Sequence, residues 1–78
     1  MSKNHIEECV RASLEGYFKD LRGTEPDRLY NMMIRVVERP LLEVVMRQAD
    51  DNQSRAAEWL GLNRNTLRKK LVEHKLLK

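Results

Sequence analysis

Two asparagines, a glycine and a pair of alanines constrain this chain more tightly than its overall composition does. They lie in the stretch NQSRAAEWLGLNRNTLRKKLVEH, residues 52–74. Asn52 is a strong helix cap, because its side-chain oxygen can accept from the free amides of a first turn. A helix over 53–60 follows, with Ala56, Ala57 and Leu60 on one side. Gly61 comes directly after the last apolar residue, where helices commonly end in the left-handed conformation that glycine adopts cheaply. Leu62 then returns to the core, Asn63 caps again, and a second helix starts at Arg64. A three-residue turn between helices of this length is the helix-turn-helix pattern. The alanines let the two helices approach, whereas bulkier side chains would hold them apart. Trp59 is expected to pack beneath the motif.

The second helix indicates what such a unit could touch. At about 100° per residue, Leu67, Leu71 and His74 share one narrow face that must pack inward. Asn65, Arg68 and Lys69 point away from it, Arg64 and Lys70 sit on its flanks, and Thr66 completes the outer first turn. Arginine can donate two hydrogen bonds to guanine O6 and N7, and asparagine can pair with the adenine edge, so this surface suits a DNA major groove. A solvated cationic face is the plainer reading of any basic helix. Here the cap, alanine pair, glycine turn and second cap coincide, and that favours duplex DNA as the partner.

Charge is distributed to match. The 78 residues carry a net +3, but residues 1–51 hold 8 Lys/Arg against 10 Asp/Glu, a net −2, and residues 52–78 hold 7 against 2, a net +5. The cationic end thus coincides with the helix-turn-helix, as an electrostatic footprint for phosphate should. Cys9 is the one cysteine, which excludes an internal disulfide framework and fits a reducing cytoplasm. No apolar run approaches the ~20 residues of a membrane span, and the start MSKNHIEE lacks the features of a secretory signal.

The first half reads as two longer helices. One is expected over 4–22, with Asn4 to Glu7 at capping-box spacing and Gly23 at its end. Ile6, Val10, Leu14, Tyr17 and Leu21 form its apolar stripe, broadened by Cys9 and Phe18. The other is expected over 27–49 and carries two apolar stripes. Leu29, Met33, Val37, Leu41, Val44 and Val45 make the first; Met32, Val36, Leu42 and Met46 make the second. A helix apolar around most of its girth is covered by more than one neighbour. In a chain this small, which can bury only a little over ~60% of its unfolded surface, the economical extra neighbour is a second copy. Pro40 interrupts the ladder and clashes with the carbonyl four residues back. Because the periodicity resumes in phase, a kink is expected there; the other reading is two shorter helices broken at Arg39. The expected architecture is all-α: four helices per subunit, with residues 4–49 forming a dimer core and 52–74 the helix-turn-helix. Two recognition helices related by a two-fold axis would read a pseudo-palindromic site, with bending of the duplex if their spacing differs from one DNA turn.

These residues together resemble the Fis family of bacterial nucleoid proteins (factor for inversion stimulation). The segments that carry the likeness are Leu29-Tyr30, Glu38-Arg39-Pro40-Leu41-Leu42, Asn52-Gln53-Ser54-Arg55-Ala56-Ala57 and the run from Gly61 to Leu71. The last is shared with the C-terminal domains of NtrC-type sigma54 enhancer-binding activators, which form the alternative; the Pro40 segment and the early helix favour Fis. The resemblance implies an intertwined homodimer that binds and bends loosely defined, A/T-centred DNA in the cytoplasm, within the nucleoid, as a transcriptional regulator. It also implies the site residues. Asn63 and Arg64 match residues that enter the groove, and Arg68 matches a groove and phosphate contact. Asn52, Gln53, Ser54, Thr66, Lys69 and Lys70 match backbone contacts, in keeping with the phosphate affinity of helix N-termini, and Asn65 lies on the same outer surface.

Departures from the family pattern bear on the partners. Asp50 and Asp51 stand where Fis relatives often have a basic residue and glycine, which weakens both phosphate attraction and the case for RNA polymerase as a partner at this turn. Val72 and Glu73 replace lysines, so a gentler salt dependence is expected. The long N-terminal arm of many Fis proteins is absent, and recombinase stimulation is not expected. No catalytic constellation, metal site or cofactor is legible. His5 and Cys9 are i, i+4 but lack further ligands, the methionines are core filler, and His74 reads as a helix-end residue. A third reading, a dimerisation module whose basic end meets an acidic protein or lipid surface, differs from the DNA readings in its salt response.

Overall fold

The computed structural model describes residues 2–77 and contains four α-helices: α1 (Lys3–Leu21), α2 (Leu29–Gln48), α3 (Gln53–Leu60) and α4 (Arg64–Glu73). The fold is all-α, as expected, with no strand among the described residues.

Helix boundaries follow the capping chemistry, with three shifts from expectation. Ser2, in extended backbone, accepts from the His5 N–H at 3.2 Å and starts α1. Asn4 to Glu7 therefore lie inside the first turns and form no capping box there. Serine ranks with asparagine as a cap, so the cap sits two residues further back, at Ser2 instead of Asn4. At the other end Arg22 is already left-handed at φ 52°, one residue before Gly23 at φ 87°. α2 begins at Leu29 after the left-handed Arg28, later than the expected Asp27, and Ala49 caps it. It runs unbroken through Pro40, so the two-helix reading with a break at Arg39 is excluded.

The core lies entirely in the second half of the chain. Leu42 and Met46 of α2, Ala49, Ala56 and Ala57 of α3, and Leu67 and Leu71 of α4 form one buried cluster. Val45, Leu60, Leu76 and Leu77 pack around it. Ala56 is fully buried and Ala57 nearly so, which is where small side chains allow α3 and α4 to meet. Trp59 does not pack beneath this motif: it is 57% exposed. Its position is about 110° round α3 from the middle of the buried face at 100° per residue, and the alanines with Leu60 already fill the inner side.

The first half is built differently. α1 contributes no buried residue. Val10, Leu14 and Tyr17 face Met32, Met33 and Val36 across an open groove, and all but Val36 of these are only partly covered. Ile6, Phe18, Val36, Val37, Leu41 and Val44 are exposed. The radius of gyration is 15.0 Å, against roughly 11.5 Å for a compact domain of this length. One chain thus leaves a long apolar surface uncovered. No helix of the described residues is long and apolar enough to cross a membrane.

Candidate nucleic-acid interface

The two asparagines act as the caps their positions predict. Asn52 Oδ1 accepts from the Arg55 N–H at 3.0 Å, and Asn63 Oδ1 accepts from the Asn65 N–H at 2.8 Å. Each removes one of the unpaired donors at a helix start and leaves its own amide NH2 free to donate outward. Between them, Gly61 adopts φ 72° and closes α3 with a Schellman turn. Its N–H reaches the Glu58 carbonyl at 3.2 Å, and the Leu62 N–H reaches the Ala57 carbonyl at 3.0 Å. A left-handed residue at this point is what redirects the chain into α4.

α4 divides cleanly. Leu67 and Leu71 are buried against α3 and α2, while Arg64, Asn65, Thr66, Arg68 and Lys69 are exposed. On α3 and its cap, Asn52 and Ser54 are exposed and Gln53 is half-buried; Asn63 is exposed ahead of α4. Nine of the ten residues named above from the sequence therefore present polar atoms at, or close to, the surface. Arg64, Asn65 and Thr66 form the first turn of α4, beside amides that the helix itself leaves unpaired.

Lys70 is the exception. Its Nζ donates to Glu38 Oε2 of α2 at 2.7 Å, and both side chains are mostly covered. The sequence reading placed Lys70 among phosphate contacts, but in the structure its charge is committed to an internal partner. The second oxygen of Glu38 is taken as well: it lies 2.9 Å from Nε2 of His74, the buried residue that caps α4. A carboxylate only accepts, so this ring nitrogen carries the proton. Arg39 donates to the carbonyl of His74 and pairs through Nε with Glu43 at 3.1 Å. Paired with Lys70 and then His74, Glu38 is held below the ordinary carboxylate range in spite of its partial burial. The same contact pushes Lys70 above its ordinary value.

Sequence reasoning missed this cluster. The signal was present in the spacing: Glu38, Leu42 and Met46 are at i, i+4 and i+8, so a carboxylate shares the stripe that α2 turns toward the motif. His74 is indeed a helix-end residue, but a buried one. Among the described residues no group of three or more His, Cys, Asp or Glu could hold a metal ion; Cys9 Sγ meets only His5 Nε2, at 3.8 Å on the exposed side of α1.

The turn before α3 carries the most unusual backbone. Asp50 and Asp51 are both left-handed, at φ 54° and 61°, and close α2 through a bond from the Asp51 N–H to the Met46 carbonyl at 2.9 Å. Both are exposed, placing two negative charges immediately ahead of the Asn52 cap.

Comparison with known proteins agrees with this architecture. Residues 33–74 match the family model described as bacterial regulatory protein, Fis family. The chain is 57% identical over 77 residues to a protein of Ralstonia nicotianae named as a Fis-like DNA-binding protein, covering 99% of this chain and 100% of that one. It is 60% identical over 72 residues to a protein of the same name from Neisseria meningitidis serogroup A, covering 92% and 91%. To the "DNA-binding protein Fis" of Photobacterium profundum it is 42% identical over 74 residues, covering 95% of this chain and 76% of the relative. The likeness takes in α1 and α2 together with the helix-turn-helix, and on these grounds the chain belongs to the Fis family.

Proposed function

We propose that the protein is a dimeric, sequence-tolerant regulator that binds and bends duplex DNA as part of the bacterial nucleoid. One observation carries this reading: the Asn63-capped helix buries Leu67 and Leu71 and leaves Arg64, Asn65, Thr66, Arg68 and Lys69 outward on the cationic end of the chain. The names of the relatives agree with it. Arg64 is the base reader at the start of α4, with Asn63, Asn65 and Arg68 beside it in the groove. Asn52, Gln53, Ser54, Thr66 and Lys69 hold the sugar–phosphate backbone, which positions the duplex without specifying sequence. Lys70 is left out of the contact set, because Glu38 already occupies its charge.

Dimerisation supplies the second recognition helix. Residues 4–49 form the shared part and 52–74 the reading head. The uncovered apolar faces of α1 and α2 support this division, since patches of this kind mark interaction sites. Two heads tied to one core meet the duplex at a fixed separation, and DNA whose helical repeat does not match must bend to reach both.

Circular-permutation gel mobility on A/T-centred duplexes tests binding and bending together. A mobility that varies with the position of the site is the expected result; uniform mobility removes bending, and no retardation removes DNA. Titration at several salt concentrations should give log K linear in log salt, with a slope of roughly −0.9 per phosphate neutralised.

A further inference from the structure

Leu67 and Leu71 hold α4 by apolar contact, which is strong but has no preferred direction. Ten residues at 1.5 Å each make a helix roughly 15 Å long, so about 10° of tilt moves one end by some 2.6 Å relative to the other. A base contact does not survive that displacement. Something directional has to fix the angle, and charge-assisted hydrogen bonds do so.

We infer that Glu38 is a positioning residue for DNA recognition, clasping the C-terminal half of α4 through Lys70 and His74 and thereby setting the angle at which Arg64 meets the duplex. The inference rests on the reading of α4 as the recognition helix. Glu38 lies on the α2 face that turns toward the motif, in line with the buried Leu42 and Met46. Its side chain is 15% exposed, and each of its oxygens has its own partner, Lys70 at 2.7 Å and His74 at 2.9 Å. Both partners lie on the inner flank of α4, one turn apart. Arg39, the next residue of α2, donates to the His74 carbonyl and holds the end of the same helix. Three bonds therefore join the middle of α2 to the last turn of α4, across 32 to 36 residues of sequence. In a dimer built on α2 the two clasps are related by symmetry. Any change of angle in one subunit is repeated in the other, so the separation of the two reading heads follows Glu38.

Charge alone predicts the opposite response, and that makes the inference testable. Removing an acid near DNA should tighten binding to every duplex equally. The test compares two duplexes whose half-sites differ by one base pair in spacing, using full-length wild type, Glu38→Gln, Glu38→Asp, Lys70→Met and Lys69→Ala. The readout is the ratio of the two affinities, which is insensitive to how much of each preparation is folded. Glu38→Gln should lower this ratio about threefold or more, and Glu38→Asp should fail to restore it, because its carboxylate sits one methylene short. Lys70→Met should lower the ratio with the salt slope unchanged, whereas Lys69→Ala should flatten the slope by about 0.9 with the ratio unchanged. Equal tightening on both duplexes by Glu38→Gln, or a flattened slope for Lys70→Met, would overturn the inference. If wild type binds no duplex at all, the DNA reading itself fails, and amide exchange on the free protein decides about the clasp. Exchange in the last turn of α4 about tenfold faster in Glu38→Gln supports it; unchanged exchange removes it.

Discussion

The two halves of the chain spend their hydrophobic residues in different ways. From Leu42 onward they close a small core, in which Leu42, Ala49, Ala56, Leu67 and Leu71 are all at 1% exposure or less. Among the described residues before Leu42 no hydrophobic side chain is fully buried, although Val36 at 58% and Ile6 at 48% belong to helices as apolar as any in the chain. A helix-turn-helix can satisfy itself locally because three short segments converge on one point. Two long helices running side by side cannot, since each has more apolar girth than the other can cover. Apolar surface in the first half is thus available to another molecule, and in the second half it is not.

Substitutions can break or sharpen this contrast. Leu67→Ala should cost about 2–5 kcal/mol of folding stability, lowering the melting temperature of α3 and α4 by the same amount at every protein concentration. Val36→Asp acts on the other half. It should cost roughly 2 kcal/mol or more, as a charge brought into an apolar interface does, but as dissociation: sedimentation equilibrium should show the dimer shifting to monomer while helicity is retained. If the variant sediments like wild type, the uncovered face of α2 is not the interface. Arg64→Ala should leave both halves intact and cost about 1–3 kcal/mol of DNA affinity, blunting preference at one base position. An equal loss on all sequences would make Arg64 a phosphate contact.

Smaller effects concern the link between the halves. Glu38 titrates below its ordinary range in the folded chain, so its contribution is present above the ordinary carboxylate value and is lost as pH falls through the lowered one. Lys70 titrates above its ordinary value; its contribution is complete below that value and is lost as pH rises through the raised one. Between these limits the clasp is intact. Acid unfolding of Glu38→Gln should therefore show a flatter pH dependence than wild type when followed by circular dichroism. Asp50→Gly should raise stability by about 0.5–1 kcal/mol in chemical denaturation, because glycine carries no penalty at the φ of 54° found there.

The features legible in the sequence were those decided within one or two turns of chain. Asn52 and Asn63 cap because the donor each satisfies is two or three residues away, and Gly61 closes α3 through bonds to residues 57 and 58. Periodicity alone separated Leu67 and Leu71 from Asn65, Arg68 and Lys69. The pairing of Lys70 with Glu38 was not legible, because it depends on how α4 lies across α2, and nothing local distinguishes a lysine facing another helix from one facing solvent. Trp59 misled for a different reason: the expectation followed the size of the side chain, whereas its angle on α3 puts it at the flank. The start of α1 was misplaced because Ser2 and Asn4 are equivalent caps and only the folded chain selects between them.

That outward flank gives the protein a built-in optical reporter. Trp59 is the only tryptophan of the chain and stands on α3, the helix that precedes α4. Its side chain is more than half exposed, so its emission should shift to the blue when anything covers this side of the motif. Docking can then be timed in unlabelled protein, with no dye to perturb it.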